Sequence, residues 1–299
     1  MRYAILAVLI LAVSTTSACA QSPGSAGPAL SGEKALEHVR AQVALGPRPP
    51  GSEALEKCRG YLIRQLESYG YEVEKDAFEA GTPYGPKKMT NLIARRKGGG
   101  ANVIALASHY DTKYYEKMAF LGANDGGSST GLLLELARVL ASRKDGFDYW
   151  FLFLDGEEAF VEWSTFDSTY GSRHLAKRWK ADGTAAKVRA LLLLDMIGDK
   201  NLDLLKDLNS TPWLMNLVWS TAAEEGLGEI LAASPSAVED DHLPFLDINI
   251  PCADIIDLNY APWHTAGDTL DKISAASMEK VGKLVLAVLP RLEKKLSGK

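Results

Sequence analysis

The 299-residue sequence predicts a single α/β domain: a mixed, mostly parallel central sheet with helices on both faces. Two observations carry that expectation. Short apolar runs alternate with longer amphipathic ones along the chain. No stretch of changed composition divides residues 32–299, and 46% hydrophobic residues suffice for one sizeable core.

The elements follow in order. Residues 1–20, MRYAILAVLILAVSTTSACA, read as a secretory signal: Arg2 comes first, then the apolar run Tyr3 to Val13, then Ala18 and Ala20 in an A-x-A arrangement. The run is shorter than the roughly 20 residues a bilayer needs, so it is no transmembrane span. Cleavage after Ala20 is the first expectation. Lipidation of Cys19 is the alternative, and Thr16 argues against it by standing where a branched aliphatic is expected. Residues 21–31, QSPGSAGPALS, form a flexible leader. The protein is thus expected to be exported, periplasmic or secreted, with no transmembrane segment and a possible lipid tether at Cys19.

Within residues 32–299, strands are predicted at Tyr71 to Ala77, Asn91 to Arg96, Val103 to Ser108, Tyr149 to Leu154, Ala190 to Leu194 and Cys252 to Ile256. Helices are predicted over Glu33 to Leu45, Ser52 to Tyr69, Ser128 to Ser142, Thr211 to Glu225 and Ser274 to Leu296, where apolar residues recur at helical spacing. Pro290 should kink or end the last of these. His38 and His174 fall within helical stretches and read as structural. Glu157 to Gly171 is long, aromatic and irregular, the mark of a functional loop.

The formal charge of −5 is spread along the chain and gives no footprint for nucleic acid. Removal of residues 1–20 leaves Cys58 and Cys252, which suit either a disulfide in an oxidising compartment or two buried free thiols.

Functional groups in open α/β sheets gather beyond the carboxyl ends of the strands. There the sequence places His109 and Asp111 (SHYD), Asp155, Glu157 and Glu158 (LDGEE), Asp195 (LLLLD) and His264 (PWHT), with Asp125 (GANDGG) just before a helix. Imidazole plus carboxylate is a zinc ligand set. The ligands are expected to be Asp125, Glu158 and His264. Glu157 then escapes coordination and acts as general acid/base, and Asp111 orients His109. Asp195, after four leucines, needs a buried partner. Asp240 and Asp241, before His242, suit a helix cap as well as a catalytic role.

SHYDTKYY, GANDGGSSTGLLLELARVL, FLDGEEAFVEWSTFDSTYGSRHLA, LLLLDMIG, EDDHLPFL and PWHT, in that order, resemble the animal-type glutaminyl-peptide cyclotransferases, which share a fold with the zinc aminopeptidases. The resemblance spans about Glu33 to Lys283. It implies one zinc on Asp125, Glu158 and His264, with Glu157 as proton shuttle. It also implies an acidic hydrogen-bond network through Asp195 and Asp240, walls from Trp163 and Trp263, and Lys113 near the pocket rim. Core filling is the plainer role for the two tryptophans. The substrate would be peptide or protein N-termini bearing glutamine.

The chain departs from the animal pattern at Asp254, where those enzymes carry histidine, and at Ser108, where they carry cysteine. ADIIDLNYAPWHTAGDT looks like the bacterial aminopeptidase branch. The alternative is therefore a secreted zinc aminopeptidase with two metals, the second shared by His109, Asp125 and Asp195. A catalytically silent peptide-binding scaffold is the third reading, and retention of Glu157, Glu158, Asp195 and His264 together argues against it.

Overall fold

The computed structural model describes residues 28–96, 102–143 and 146–298. The segment 1–20, Cys19 and most of the leader lie outside the described residues. The six predicted strands form one sheet: β1 (Tyr71–Thr82), β2 (Gly85–Arg96), β3 (Val103–His109), β4 (Asp148–Leu154), β5 (Val188–Asp195) and β6 (Cys252–Ile256), in the order β1-β2-β4-β3-β5-β6. Strands β4, β3, β5 and β6 are mutually parallel, and β2 runs antiparallel to β4. The β1–β2 hairpin is longer than the apolar runs indicated, pairing without a break from Tyr71↔Arg96 to Thr82↔Gly85. Its outer part, AFEAGT against GPKKMT, is largely exposed and lacks the apolar run by which its inner part was recognised.

Alternate residues of the buried strands feed two cores, as the period of two requires. Leu106, Phe151 and Leu192 point to one side, against α1 (Gly32–Val43), α2 (Glu53–Ser68), α3 (Gly127–Leu140), α5 (Pro212–Glu224) and α7 (Ala275–Ser297). Ala105, Leu152 and Leu193 point to the other, against Trp179 of α4 (Tyr170–Asp182) and Phe245 of α6 (Leu243–Leu246). Each fully buried aliphatic or aromatic side chain contributes about 1.5–3 kcal/mol. Cys58 belongs to the first core and Cys252 to the second, so the sheet keeps the two buried thiols apart and both are free.

Pro290 does not end α7, which continues to Ser297. An interior proline costs about 3 kcal/mol, and the buried face of Val281, Leu284, Val285, Val288 and Leu292 offsets it by packing against α1 and α5. Among the described residues no helix is long and apolar enough to cross a membrane.

Candidate metal centre and active site

The residues singled out at the strand mouths converge. His109 ends β3, Asp195 ends β5, and the turn after β4 brings Glu157 and Glu158 beside them. His264 enters from the loop beyond β6. Asp125 precedes α3 in a loop turned at Gly126, whose φ is +72°. A Cβ there would lie 2.5 Å from Asp111 O and 2.9 Å from His109 Cε1, so only glycine lets the loop approach this closely.

His264 Nε2 stands 3.2 Å from Glu158 Oε2 and 3.4 Å from Asp125 Oδ2. Three atoms bound at about 2.0 Å to one tetrahedral ion would be about 3.3 Å apart. Asp125 Oδ2 and Glu158 Oε1 are buried and have no hydrogen-bond partner among the described residues. The nitrogen–oxygen donor set, its spacing and these orphaned oxygens fit a zinc ion.

A second grouping adjoins the first. His109 Nε2 lies 3.1 Å from Asp195 Oδ1 and 3.3 Å from Asp125 Oδ1, so Asp125 faces both groupings with different oxygens. His109 Nδ1 lies 3.5 Å from Asp111 Oδ1, the neighbour expected to orient it. Asp111 does more than that. Its two oxygens accept the backbone N–H groups of Glu157 (3.2 Å) and Glu158 (3.5 Å), which fixes the turn carrying the paired glutamates.

Glu157 is buried yet stays out of both groupings, its Oε2 being 4.0 Å from His109 Nδ1. Burial raises its proton affinity well above the usual carboxylate value; His109 opposes this, and Glu158, Asp240 and Asp241 add to it. Burial and then Asp125 raise Glu158. Burial works against ionisation of Asp125 too, but the two imidazoles overcome it and hold its carboxyl low. Burial likewise opposes the proton on His264, yet Asp125 and Glu158 push its pKa up to about 9. The site thus concentrates negative potential, which a divalent cation would satisfy in place of that proton.

Residues 157–169 form a closed loop. Thr169 N donates to Glu157 O and Tyr170 N to Gly156 O, both at 2.7 Å. Asp167 organises the interior, accepting from the N–H groups of Phe160 (2.9 Å), Val161 (2.8 Å) and Glu162 (3.1 Å) and from the Tyr170 hydroxyl (2.7 Å). Trp163 projects from this loop and donates through Nε1 to Glu239 Oε2 at 3.1 Å. Trp263 stacks on the His264 ring with centroids 4.3 Å apart. Both tryptophans line a cavity of about 490 Å³, together with Glu157, Asp195, Asp240 and the metal grouping. Lys113 also lines it, with Nζ donating to Ala159 O at 2.8 Å and lying 3.5 Å from Glu158 Oε2.

Asp240 accepts the Asp241 N–H through Oδ1, and Asp241 accepts the Ser172 hydroxyl. His242 is the N-cap residue of α6, without a side-chain capping bond. Behind Asp240 the buried His242 ring lies between two acids, Nε2 3.3 Å from Asp207 Oδ2 and Nδ1 3.8 Å from Asp254 Oδ2. These three buried residues form a third grouping with the composition of an ion site, and neither imidazole nitrogen has a hydrogen-bond partner among the described residues.

Three supporting residues escaped the sequence reading. Besides Asp167, Asp268 accepts the backbone N–H groups of Asn124 (2.8 Å) and Asp125 (3.1 Å). Buried Arg48 donates to the carbonyls of Gln42, Gly46, Leu121 and Gly122, bracing the same loop. Most of their partners are backbone groups, which leave no pattern in side-chain types; D-S-T-Y from Asp167 and G-D-T shortly after His264 were the available signals.

Fold and site define an α/β enzyme of the zinc-aminopeptidase type. The sequence pattern of peptidase family M28 matches residues 91–289. A glutaminyl-peptide cyclotransferase of Drosophila melanogaster is 31% identical over 277 residues, covering 83% of this chain and 78% of the relative. The crystal structure of an Acidobacteriales bacterium glutaminyl cyclase is similar with a TM-score of 0.86 at 41% identity, covering 92% of this chain and 99% of that one. For a leucine aminopeptidase precursor of Bacteroides thetaiotaomicron the TM-score is 0.79 at 29% identity, covering 87% and 97%. The chain belongs to peptidase family M28 and, within it, to the glutaminyl-peptide cyclotransferases.

Proposed function

We propose that the chain converts the N-terminal glutamine of peptides and proteins to pyroglutamate with release of ammonia. The observation that carries this reading is the uncoordinated Glu157 carboxyl facing the same cavity as the Asp125, Glu158 and His264 grouping, in a chain whose relatives are glutaminyl cyclases. Those three residues hold zinc in this reading. Bound there, the ion supplies a Lewis acid for the glutamine side-chain carbonyl.

The remaining work falls to side chains. The substrate's α-amine nitrogen forms a bond to its own side-chain amide carbon, and the bond from that carbon to the amide nitrogen breaks. Glu157 takes a proton from the amine and delivers it to the departing nitrogen, which leaves as ammonia. Its raised proton affinity suits both halves of that transfer. Asp195 and Asp240 line the same cavity, and Asp240 adds to the rise in the proton affinity of Glu157. Trp163 and Trp263 wall the cavity against water, which favours cyclisation by the tethered amine over hydrolysis. Lys113 holds the loop residue Ala159 at the rim.

Export belongs to the same proposal: residues 1–20 direct the chain out of the cytoplasm, and the catalytic domain begins near residue 32. The aminopeptidase reading draws on the His109, Asp125 and Asp195 grouping, which has the composition of a second metal site. Zinc analysis separates the two, with about one ion per chain for the cyclase and two for the peptidase. Incubation with a Gln-Ala peptide and an amino-acid anilide in parallel is the direct test. Pyroglutamate and ammonia without anilide cleavage are expected; anilide cleavage without pyroglutamate would overturn the proposal.

A further inference from the structure

Among the described residues, five large apolar side chains stand exposed: Tyr84 (53%), Val161 (63%), Phe166 (83%), Leu208 (61%) and Trp263 (44%). Two of the five line one cavity, and the other three lie in segments linked to its lining. Val161 and Trp263 line the cavity itself, and Phe166 shares the 157–169 loop with Val161. Leu208 N donates to Ser236 O at 2.9 Å, immediately before the lining residues Ala237 to Glu239. Tyr84, at the tip of the β1–β2 hairpin, packs on Tyr114 and Phe160 with centroids 5.2 and 6.1 Å apart. Apolar exposure concentrated in this way marks a binding surface rather than chance.

Two exposed carboxylates stand on the same rim. Glu162 and Glu239 are exposed and line the cavity. Glu162 pairs with no cation among the described residues, and Glu239 accepts only the indole N–H of Trp163. Lys113, the one lysine or arginine lining the cavity, is turned inward to Ala159 O and Glu158. A rim of carboxylates beside an indole face complements a cationic group on an aliphatic stem. The cavity's 490 Å³ lies within the range of pockets for whole small molecules, so it has room beyond one glutamine side chain.

We infer that this acidic and apolar collar binds the peptide segment that follows the glutamine, selecting substrates with a basic second residue and an apolar residue after it. The inference rests on the cyclase reading and adds the class of peptide the enzyme prefers. Continuity with the catalytic cavity and charge complementarity assign the collar to the substrate's own chain.

The test is kcat/KM for pyroglutamate formation from Gln-Lys-Ala, Gln-Glu-Ala and Gln-Lys-Phe amides. At low salt the Gln-Lys-Ala to Gln-Glu-Ala ratio is expected to be about threefold to tenfold, the scale of one or two exposed ion pairs. It should shrink towards one in about 0.5 M salt, where the Debye length is only a few ångströms. The same shrinkage is expected in the Glu162→Gln/Glu239→Gln double variant, in which position 239 keeps an acceptor for Trp163. Phe166→Ser should raise KM for Gln-Lys-Phe more than for Gln-Lys-Ala. Equal kcat/KM for all three peptides, with pyroglutamate formed from each, overturns this inference and leaves the cyclase intact. No pyroglutamate from any of them overturns the cyclase reading itself.

Discussion

The adjacent residues Glu157 and Glu158 face different imidazoles: Glu158 Oε2 lies 3.2 Å from His264 Nε2, and Glu157 Oε2 lies 4.0 Å from His109 Nδ1. The two roles should therefore separate on mutation. Glu157→Gln is expected to lower kcat by about 10²–10⁴-fold, the usual worth of a general acid/base, while zinc content stays that of the parent. Ammonia release together with elemental analysis measures both.

Substitution of a proposed ligand should act on the metal first. Glu158→Gln and His264→Ala are expected to lose bound zinc and with it turnover. Exhaustive chelation of the parent should do the same, with activity restored by added zinc. Because a ligand of the folded state stabilises by mass action, about 2.7 kcal/mol at one hundred times its dissociation constant, zinc should also raise the melting temperature of the parent and not of the variants. Unchanged turnover after complete zinc removal would rule out the metal role.

Asp167 should matter although it lies outside the cavity lining. Asp167→Ala withdraws the acceptor from three loop N–H groups and the Tyr170 hydroxyl. A loss of about 1–3 kcal/mol of stability is expected, with faster proteolytic nicking within residues 157–169 and a raised KM through displacement of Trp163. A nicking rate equal to the parent's would contradict the role given to this residue.

His38 supplies a pH dependence remote from the metal. Burial lowers its pKa from 6.5 to about 4, against the opposing pull of Glu135. Its Nδ1 lies 2.6 Å from the Tyr61 hydroxyl. The folded protein therefore resists protonation that the unfolded chain accepts. The stability this gives is complete above pH 6.5 and is lost as pH falls towards 4, on the order of 2 kcal/mol by pH 4.5. Urea unfolding at pH 7.5 and 4.5 should show a larger loss for the parent than for His38→Gln.

Most of the fold was legible because its buried strands are uninterrupted apolar runs and its helices keep one apolar face. The outer half of the β1–β2 hairpin was not, since an exposed edge carries no such run. Of the two expectations for Pro290, an end to the helix failed, because local propensity speaks for the isolated helix and packing of α7 outweighs it. The convergence of His109, Glu157, Glu158 and Asp195 was legible because each is an ionisable side chain that follows a strand. Asp167, Asp268 and Arg48 were invisible because most of their partners are main-chain atoms, and the sequence does not announce which loops come near them.

The bonds from Thr169 N to Glu157 O and from Tyr170 N to Gly156 O bring the two ends of the intervening segment together, next to the glutamates. The tip of the loop, between Glu162 and Phe166, can change in length or composition without shifting Glu157. A loop tip transplanted from a relative should therefore carry its own peptide preference into this scaffold.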